Sequence, residues 1–414
     1  MYFLYNITIH IAGFFLKIIA IFNKKIKLFI NGRKEVFNTL EKQLSKTDKI
    51  IWFHCASLGE FEQGRPVIEK CKKEYPNYKI VVTFFSPSGY EIRKDYTLAD
   101  VVCYLPLDTK QNAKKFIGIV HPELAIFVKY EFWPNLLREL KEREIKTILV
   151  SGIFRKNQSF FNWYGTWMRK SLEAFNHFFV QDKESKDLLS GIRFTNSTIS
   201  GDTRFDRVFD ITSQEISLDF IENFKNNRTT LIAGSTWPKA EEFLINFINN
   251  ESNLDQKFII APHNINRNAI ENLKKSITKQ TLLFSEINKQ DLSTFQVLII
   301  DTIGLLSKVY FYADMVYVGG GFGLGIHNIL EPATFGVPII IGPNYQKFNE
   351  AKDLVNLKAC VVVHTNKEFN ATLSNFFEKN EERQRKGKIA KQYILDRLGA
   401  TDIILKYIIT LFKK

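Results

Sequence analysis

Two acidic residues stand where a carboxylate could do chemistry. Glu60 ends Ser57-Leu58-Gly59-Glu60, directly behind the apolar run 50–54. A carboxylate there can serve as general base toward a hydroxyl nucleophile. The same Ser-x-x-Glu spacing is also the capping box of a helix N-terminus, which would make Glu60 structural. Glu131 lies in Lys129-Tyr130-Glu131-Phe132-Trp133-Pro134-Asn135, behind the run 124–128. It is either a second carboxylate at the same sheet edge or a partner for the dipole of a helix starting near Pro134. Two such groups can divide base and electrostatic roles when their surroundings separate their pKa values.

The second half of the chain carries small residues where a phosphate could be cradled. Ala233-Gly234-Ser235-Thr236 follows an apolar run and precedes a helical stretch, and Ser235 there lets backbone amides approach a phosphate. Ala261-Pro262-His263-Asn264 and Asp301-Thr302-Ile303-Gly304-Leu305 follow the next runs in the same way. The densest signal is the glycine run Gly319 to Gly325, leading through His327, Asn328, Ile329 and Leu330 to Glu331. Glycines between a strand and a helix suit a phosphate-binding turn, and equally a close-packed turn with no ligand. There is no Gly-x-Gly-x-x-Gly with an acidic residue about 20 positions on, and no Gly-Lys-Ser/Thr, so NAD and P-loop readings are poorly supported. Glu331, at a helix start, could accept hydrogen bonds from ribose hydroxyls. The pattern suits a nucleotide-sugar.

These residues need a scaffold, and the apolar runs supply one. Runs at 50–54, 79–84, 101–105, 124–128, 147–150 and 178–180 read as buried parallel strands with helical-length stretches between them. A second series occupies 230–234, 257–261, 296–300, 315–320, 337–341 and 360–363. The expectation is an α/β protein of two Rossmann-like, doubly wound domains facing a cleft, with ligands beyond the carboxyl ends of strands. The expected divisions are a membrane-associated segment at 1–30, an N-terminal acceptor domain at 31–208, a C-terminal donor domain at 209–390 and a final helix at 391–414 that packs back on the first domain. Residues 201–220 read as a polar, irregular connection. Residues 370–394 read as one or two charged amphipathic helices.

A chain of 414 residues suits two or three domains. Its formal charge of +13 favours an anionic partner without choosing among nucleic acid, lipid and nucleotide. Four cysteines without a Cys-x-x-Cys spacing exclude a disulfide framework and a cysteine zinc site, and seven dispersed histidines argue against a metalloenzyme. Residues 1–22 are almost wholly apolar and are followed by Lys24, Lys25, Lys27, Arg33 and Lys34. Roughly 20 apolar residues span a bilayer, while Asn6, His10 and Lys17 also allow a helix lying in the interface, and the plain alternative is an N-terminal helix packed on the domain. Charges after the apolar segment leave the body cytoplasmic. Residues 154–170 interleave aromatic and basic side chains, which suits a membrane interface with anionic lipid, a nucleic acid, or simply a solvated basic face.

Taken together, SLGE at 57–60, YEFWPNL at 130–136, GDTRFD at 201–206, GST at 234–236 and HNILEP at 327–332 resemble the Kdo (3-deoxy-D-manno-octulosonic acid) transferases. The resemblance runs from the apolar N-terminus to about residue 360. It implies a GT-B fold, inverting transfer from CMP-Kdo to the lipid A precursor lipid IVA with no metal or cofactor, and attachment to the cytoplasmic side of the inner membrane, with no nucleic-acid partner. It places the catalytic base on Glu60, a second acidic residue on Glu131, and a basic transition-state stabiliser on Arg204. CMP contacts fall on Ser235, Pro262, His263, Ile303, Gly304, Leu305, Asn328, Ile329, Leu330 and Glu331. The leaving phosphate would meet Arg204 and the dipole of a helix beginning near Asn328. Four departures stand out: Arg204 for the usual Lys, Leu305 for a common Glu, Trp237 for a frequent His, and Pro-His alone where Arg-His is usual beside Pro262. The rival readings are a GT-B enzyme using a UDP-sugar and a non-catalytic protein that binds nucleic acid or lipid.

Overall fold

A strand buried on both faces has no polar side, so parallel sheets are written in the sequence as continuous apolar runs. The computed structural model, which describes residues 1–212, 215–288 and 290–413, forms strands at every such run. The first sheet holds β1 (Ile50–Cys55), β2 (Lys79–Phe84), β3 (Val101–Tyr104), β4 (Leu124–Val128), β5 (Lys146–Gly152), β6 (His177–Val180) and β7 (Ser197–Ile199). Their order is β3-β2-β1-β4-β5-β6-β7, all parallel. The second sheet holds β8 (Thr229–Thr236), β9 (Gln256–Pro262), β10 (Thr281–Leu283), β11 (Val297–Ile299), β12 (Met315–Val318), β13 (Ile339–Ile341) and β14 (Cys360–Val362). Its order is β10-β11-β9-β8-β12-β13-β14, again parallel throughout. The short strands β7 and β10 were not foreseen. The stretch expected as an irregular connection is instead largely helical, with helices Thr203–Thr212 and Asp219–Lys225.

The chain divides into two units, Met1–Arg207 together with Leu398–Lys414, and Val208–Arg397. In the first, two apolar clusters cover the two faces of the sheet. One joins Trp52, Phe116, Phe127 and Phe178, the other Phe53, Phe61, Phe84 and Phe179. The last helix, Ala400–Phe412, adds Ile404 and Ile408 to the second cluster, both fully buried. Asp206 holds the start of that helix: its carboxylate accepts from the Gly399 and Thr401 amides, each at 2.7 Å, and from the Thr401 hydroxyl at 2.6 Å. In the second unit one cluster, built on Phe243, Phe247, Phe258, Tyr317 and Phe369, fills one side of the sheet.

The N-terminal helix, Tyr2–Ile19, is long and apolar enough to cross a membrane by length and composition. One of its faces is nevertheless tied to the first unit by polar groups. Tyr2 Oη donates to Asn135 Oδ1 at 2.6 Å, Tyr5 Oη donates to Asp108 Oδ2 at 2.7 Å, and Asn135 Nδ2 donates to Asn6 Oδ1 at 3.0 Å. Asp108 is itself buried, and it accepts the Asn135 and Leu136 amides that open the helix Pro134–Glu142. Burial pushes its carboxyl above the usual carboxylate range. The Tyr5 ring meets Trp167 at 5.8 Å. Phe3, Leu4, Ile7, Ile11, Phe14 and Phe15 remain exposed.

Candidate active site

In an open α/β sheet the ligand crevice lies beyond the carboxyl ends of the strands where their order reverses. In the first sheet that point is between β1 and β4. The chain leaving β1 passes Ala56 and Ser57 into the helix Leu58–Glu74, and the chain leaving β4 passes Lys129, Tyr130 and Glu131 toward Pro134. Glu60 and Glu131 therefore flank the reversal from its two sides. The Tyr130 hydroxyl and the Cys55 thiol are each pushed up first by burial and then by the charges of both Glu60 and Glu131. The two carboxylates thus act on one small region.

Glu60 is 6% exposed, and its partner is not the one a capping box requires. Ser57 stands at the N-cap, but its hydroxyl donates to Glu60 Oε2 rather than accepting a backbone amide. The reciprocal box is absent. Glu131 is gripped from another side: Trp133 Nε1 donates to its Oε2 at 3.0 Å, and His54 Nε2 lies 3.5 Å from the same oxygen. The buried end of β1 and an indole two residues on thus fix its place, just ahead of the helix Pro134–Glu142.

Arg204 lies on the next turn of the same network. Its backbone amide donates to Asp202 Oδ1 at 2.9 Å, and its Nε and Nη2 lie 2.8 Å from Asp202 Oδ2. Gln63, one turn along the helix from Glu60, lies 3.3 Å from both Asp202 oxygens. The Thr203 hydroxyl donates to the Gln63 carbonyl. The helix that carries Glu60 is thereby tied to the loop that aims Arg204, whose side chain is one-third exposed. Gln63 Oε1 is buried with no partner among the described residues. Spacing alone gave no sign of His54, Gln63 or Asp202 as members of the site.

In the second sheet the order reverses between β8 and β12, which puts Ser235 and the glycine run at the corresponding point. Ser235 takes a left-handed backbone, φ +51°. A side chain at Gly319 would fall 1.8 Å from the Ser235 carbonyl oxygen, so the glycine there is needed for strand-end packing alone. Beside it, Trp237 stacks on His263 at 4.7 Å, His263 stacks on His327 at 4.3 Å, and Trp237 Nε1 donates to His327 Nε2 at 3.0 Å. Burial, then the charge of His263, holds His327 below the usual histidine pKa. The departure noted at Trp237 is thus a packed aromatic stack. Trp237 and His327 also line a cavity of about 420 Å³ with Lys239, Phe322 and Gly325.

Glu331 draws two further stretches together. Its Oε2 accepts from Ser307 Oγ at 2.8 Å and its Oε1 from Asn328 Nδ2 at 3.0 Å. The turn 328–331 is thereby joined to the loop after β11, where Leu305 precedes a short helix. Pro262 ends β9, and the His263 amide donates to the Thr236 carbonyl. Ile303 and Gly304 stand apart, with Ile303 87% exposed. The helix expected near Asn328 begins at Leu330 and has five residues, so its dipole is far weaker than that of a long helix. Among the described residues, no three His, Cys, Asp or Glu side chains converge as metal ligands.

Residues 31–207 match the family described as 3-deoxy-D-manno-octulosonic-acid transferase (kdotransferase). The chain is 27% identical over 358 residues to the 3-deoxy-D-manno-octulosonic acid transferase of Chlamydophila psittaci, covering 82% of each protein. It is 26% identical over 387 residues to a bifunctional glycosyltransferase/methyltransferase of Fusobacterium nucleatum, covering 86% of this chain and 58% of that protein. Among solved structures it is similar to the UDP-GlcNAc 2-epimerase of Neisseria meningitidis bound to UDP-GlcNAc. The TM-score is 0.60 at 14% identity, over 87% of this chain and 100% of that one. That likeness shows the fold, two parallel α/β sheets of the GT-B kind.

Proposed function

We propose that this chain, a glycosyltransferase related to the Kdo transferases over most of its length, transfers Kdo from CMP-Kdo to the lipid A precursor lipid IVA, with inversion and without a metal. The observation that carries the reading is the pairing of Glu60 and Glu131 at the reversal of the first sheet, with Arg204 tied to the Glu60 helix through Asp202 and Gln63. Glu60 takes the proton of an acceptor hydroxyl as that oxygen forms its bond to the anomeric carbon of Kdo. The bond to CMP breaks on the opposite face, and the phosphate leaves with the electron pair. Arg204 offers fixed positive charge where negative charge develops, held in place before the reaction begins. With only a five-residue helix at Leu330, side chains rather than a helix dipole carry that task. CMP would be held by Ser235, Pro262, His263, Leu305 and the turn from Asn328 to Glu331, with Ile303 and Gly304 at its rim.

The proposed location is the cytoplasmic face of the inner membrane. The exposed apolar face of Tyr2–Ile19, opposite a face hydrogen-bonded to Asp108 and Asn135, supports a helix lying in the interface rather than crossing it. The deciding experiment is incubation with CMP-Kdo and tetra-acylated lipid A precursor, with product masses counted. A product heavier by one or more Kdo residues is expected. No transfer, with UDP displacing CMP in competition binding, would overturn the reading in favour of a UDP-sugar enzyme.

A further inference from the structure

We infer that Trp237 is a positioning residue for His327: its indole N–H fixes the imidazole proton on Nδ1, and that Nδ1–H binds an anionic oxygen, phosphate or carboxylate, of the sugar-nucleotide. The inference rests on the function proposed above. Both residues belong to the unit Val208–Arg397, Trp237 directly after β8 and His327 at the far end of the glycine run that follows β12.

The hydrogen-bond roles here are one-directional. An indole N–H donates and cannot accept. Trp237 Nε1 donates to His327 Nε2 at 3.0 Å, so Nε2 keeps its lone pair for that bond. The two ring planes are within 9° and their centroids 6.4 Å apart, which puts the bond in the plane of both rings, along the lone pair. A neutral imidazole has one proton, and Nδ1 is the place left for it. Burial, then the charge of His263, holds the His327 pKa below its usual value, so the ring is neutral at pH 7.5.

The surroundings of the ring leave the Nδ1 edge open. The Cδ2–Nε2 edge is taken by Trp237 and by the glycine run, where a side chain at Gly320 would fall 3.1 Å from Cδ2. One face is covered by His263, with ring centroids 4.3 Å apart. Nδ1 lies on the opposite edge and takes no hydrogen bond among the described residues. The ring lines the cavity of about 420 Å³ beside Gly320, Gly323 and Gly325, and the lining holds one cation, Lys239, and no carboxylate. That wall suits an anionic ligand. With the proton on Nε2 instead, Nδ1 would present a lone pair to the same oxygen and repel it. Tryptophan excludes the reversal because its nitrogen has no second role.

The test has two arms. In ¹⁵N spectra of the histidine rings at pH 7.5, with His327 assigned from its loss in His327→Gln, Nδ1 should be protonated and Nε2 bare. Trp237→Phe keeps an aromatic ring against His263 but has no N–H, and should shift the proton toward Nε2. Trp237→His, whose Nε2 stands as many bonds from Cβ as the indole nitrogen, should restore part of the Nδ1–H form. In binding, Trp237→Phe should weaken the ligand about 10- to 100-fold per folded protein, the usual effect of losing a hydrogen bond to a charged group, and Trp237→His should recover part of it. Calorimetry with CMP and the KM for CMP-Kdo separate the two oxygens. A phosphate contact weakens both, whereas a carboxylate contact weakens CMP-Kdo alone. A bare Nδ1 in the wild type, an unchanged spectrum in Trp237→Phe, or normal constants for both ligands would overturn the inference. Should the wild type bind neither ligand, the proposed function falls and the ligand half of the inference with it, while the spectra still decide where Trp237 places the proton.

Discussion

At the scale of single residues, Glu60 carries the sharpest prediction. Glu60→Gln keeps the shape and the contact with Ser57 but cannot take a proton at neutral pH. Transfer should fall by about 10²–10⁴-fold, with an unchanged melting temperature and normal CMP binding. Were Glu60 only a helix-start residue, turnover would survive and stability alone would move. If the proposed CMP site is right, Glu331→Ala should weaken CMP binding by about one to two decades, because it frees Ser307 and Asn328 and unties the two stretches they join. Titration calorimetry with CMP reads that directly. His327 adds a pH effect. Its native pKa is lowered, so an unfolded chain takes up the proton first as pH falls below about 6.5. The neutral stack contributes stability above that pH, and the contribution is lost from about 6.5 down to the lowered native value. Thermal melts between pH 7.5 and 5.5 should show the loss, and His327→Gln should blunt it. The two carboxylates were legible because they follow apolar runs, where a parallel sheet opens its crevice. His54, Gln63 and Asp202 were not. His54 hides inside a buried strand and Gln63 inside a helix, and only folding brings Asp202, 139 positions away from Gln63, against it.

At the scale of elements, the N-terminal helix is the most informative. Tyr2→Phe with Tyr5→Phe removes two hydroxyls that tie it to Asn135 and Asp108. Each neutral bond contributes about 0.5–1.5 kcal/mol, and the one to Asp108 somewhat more. Hydrogen exchange over residues 2–19 should therefore quicken by one or more decades in detergent, with little change in the two sheets. Unchanged exchange would mean that the apolar contacts alone hold the helix. The strands show why some elements are readable and others not. β2 and β4 keep the bounds of their apolar runs, since both faces of each are covered. β7 is Ser-Thr-Ile at a sheet edge, with Ile199 42% exposed, and nothing in three mixed residues announces a strand. In the helix Thr203–Thr212, Phe205, Val208 and Ile211 are buried at intervals of three, a helical period masked by the charges between them.

At the scale of the whole molecule, the first unit is assembled from both ends of the chain. Ile404→Ala should cost about 2–5 kcal/mol, because the side chain is fully buried in the cluster with Phe61 and Phe179. Denaturant unfolding should report the loss, while CMP affinity should hold if, as proposed, the nucleotide is bound by residues of the other unit. A loss under 1 kcal/mol would mean that the helix is seated chiefly by Asp206. The return of the chain also sets a timetable. Residues 208–397 are translated before the helix that completes the first cluster, which at 5–20 residues per second takes roughly 10–40 s. Throughout that interval a nascent chain exposes an apolar groove on a sheet whose seven strands are already made. The later-synthesised sheet can therefore close on itself before the earlier one is finished, and the groove is filled only once the helix Ala400–Phe412 has emerged and packed.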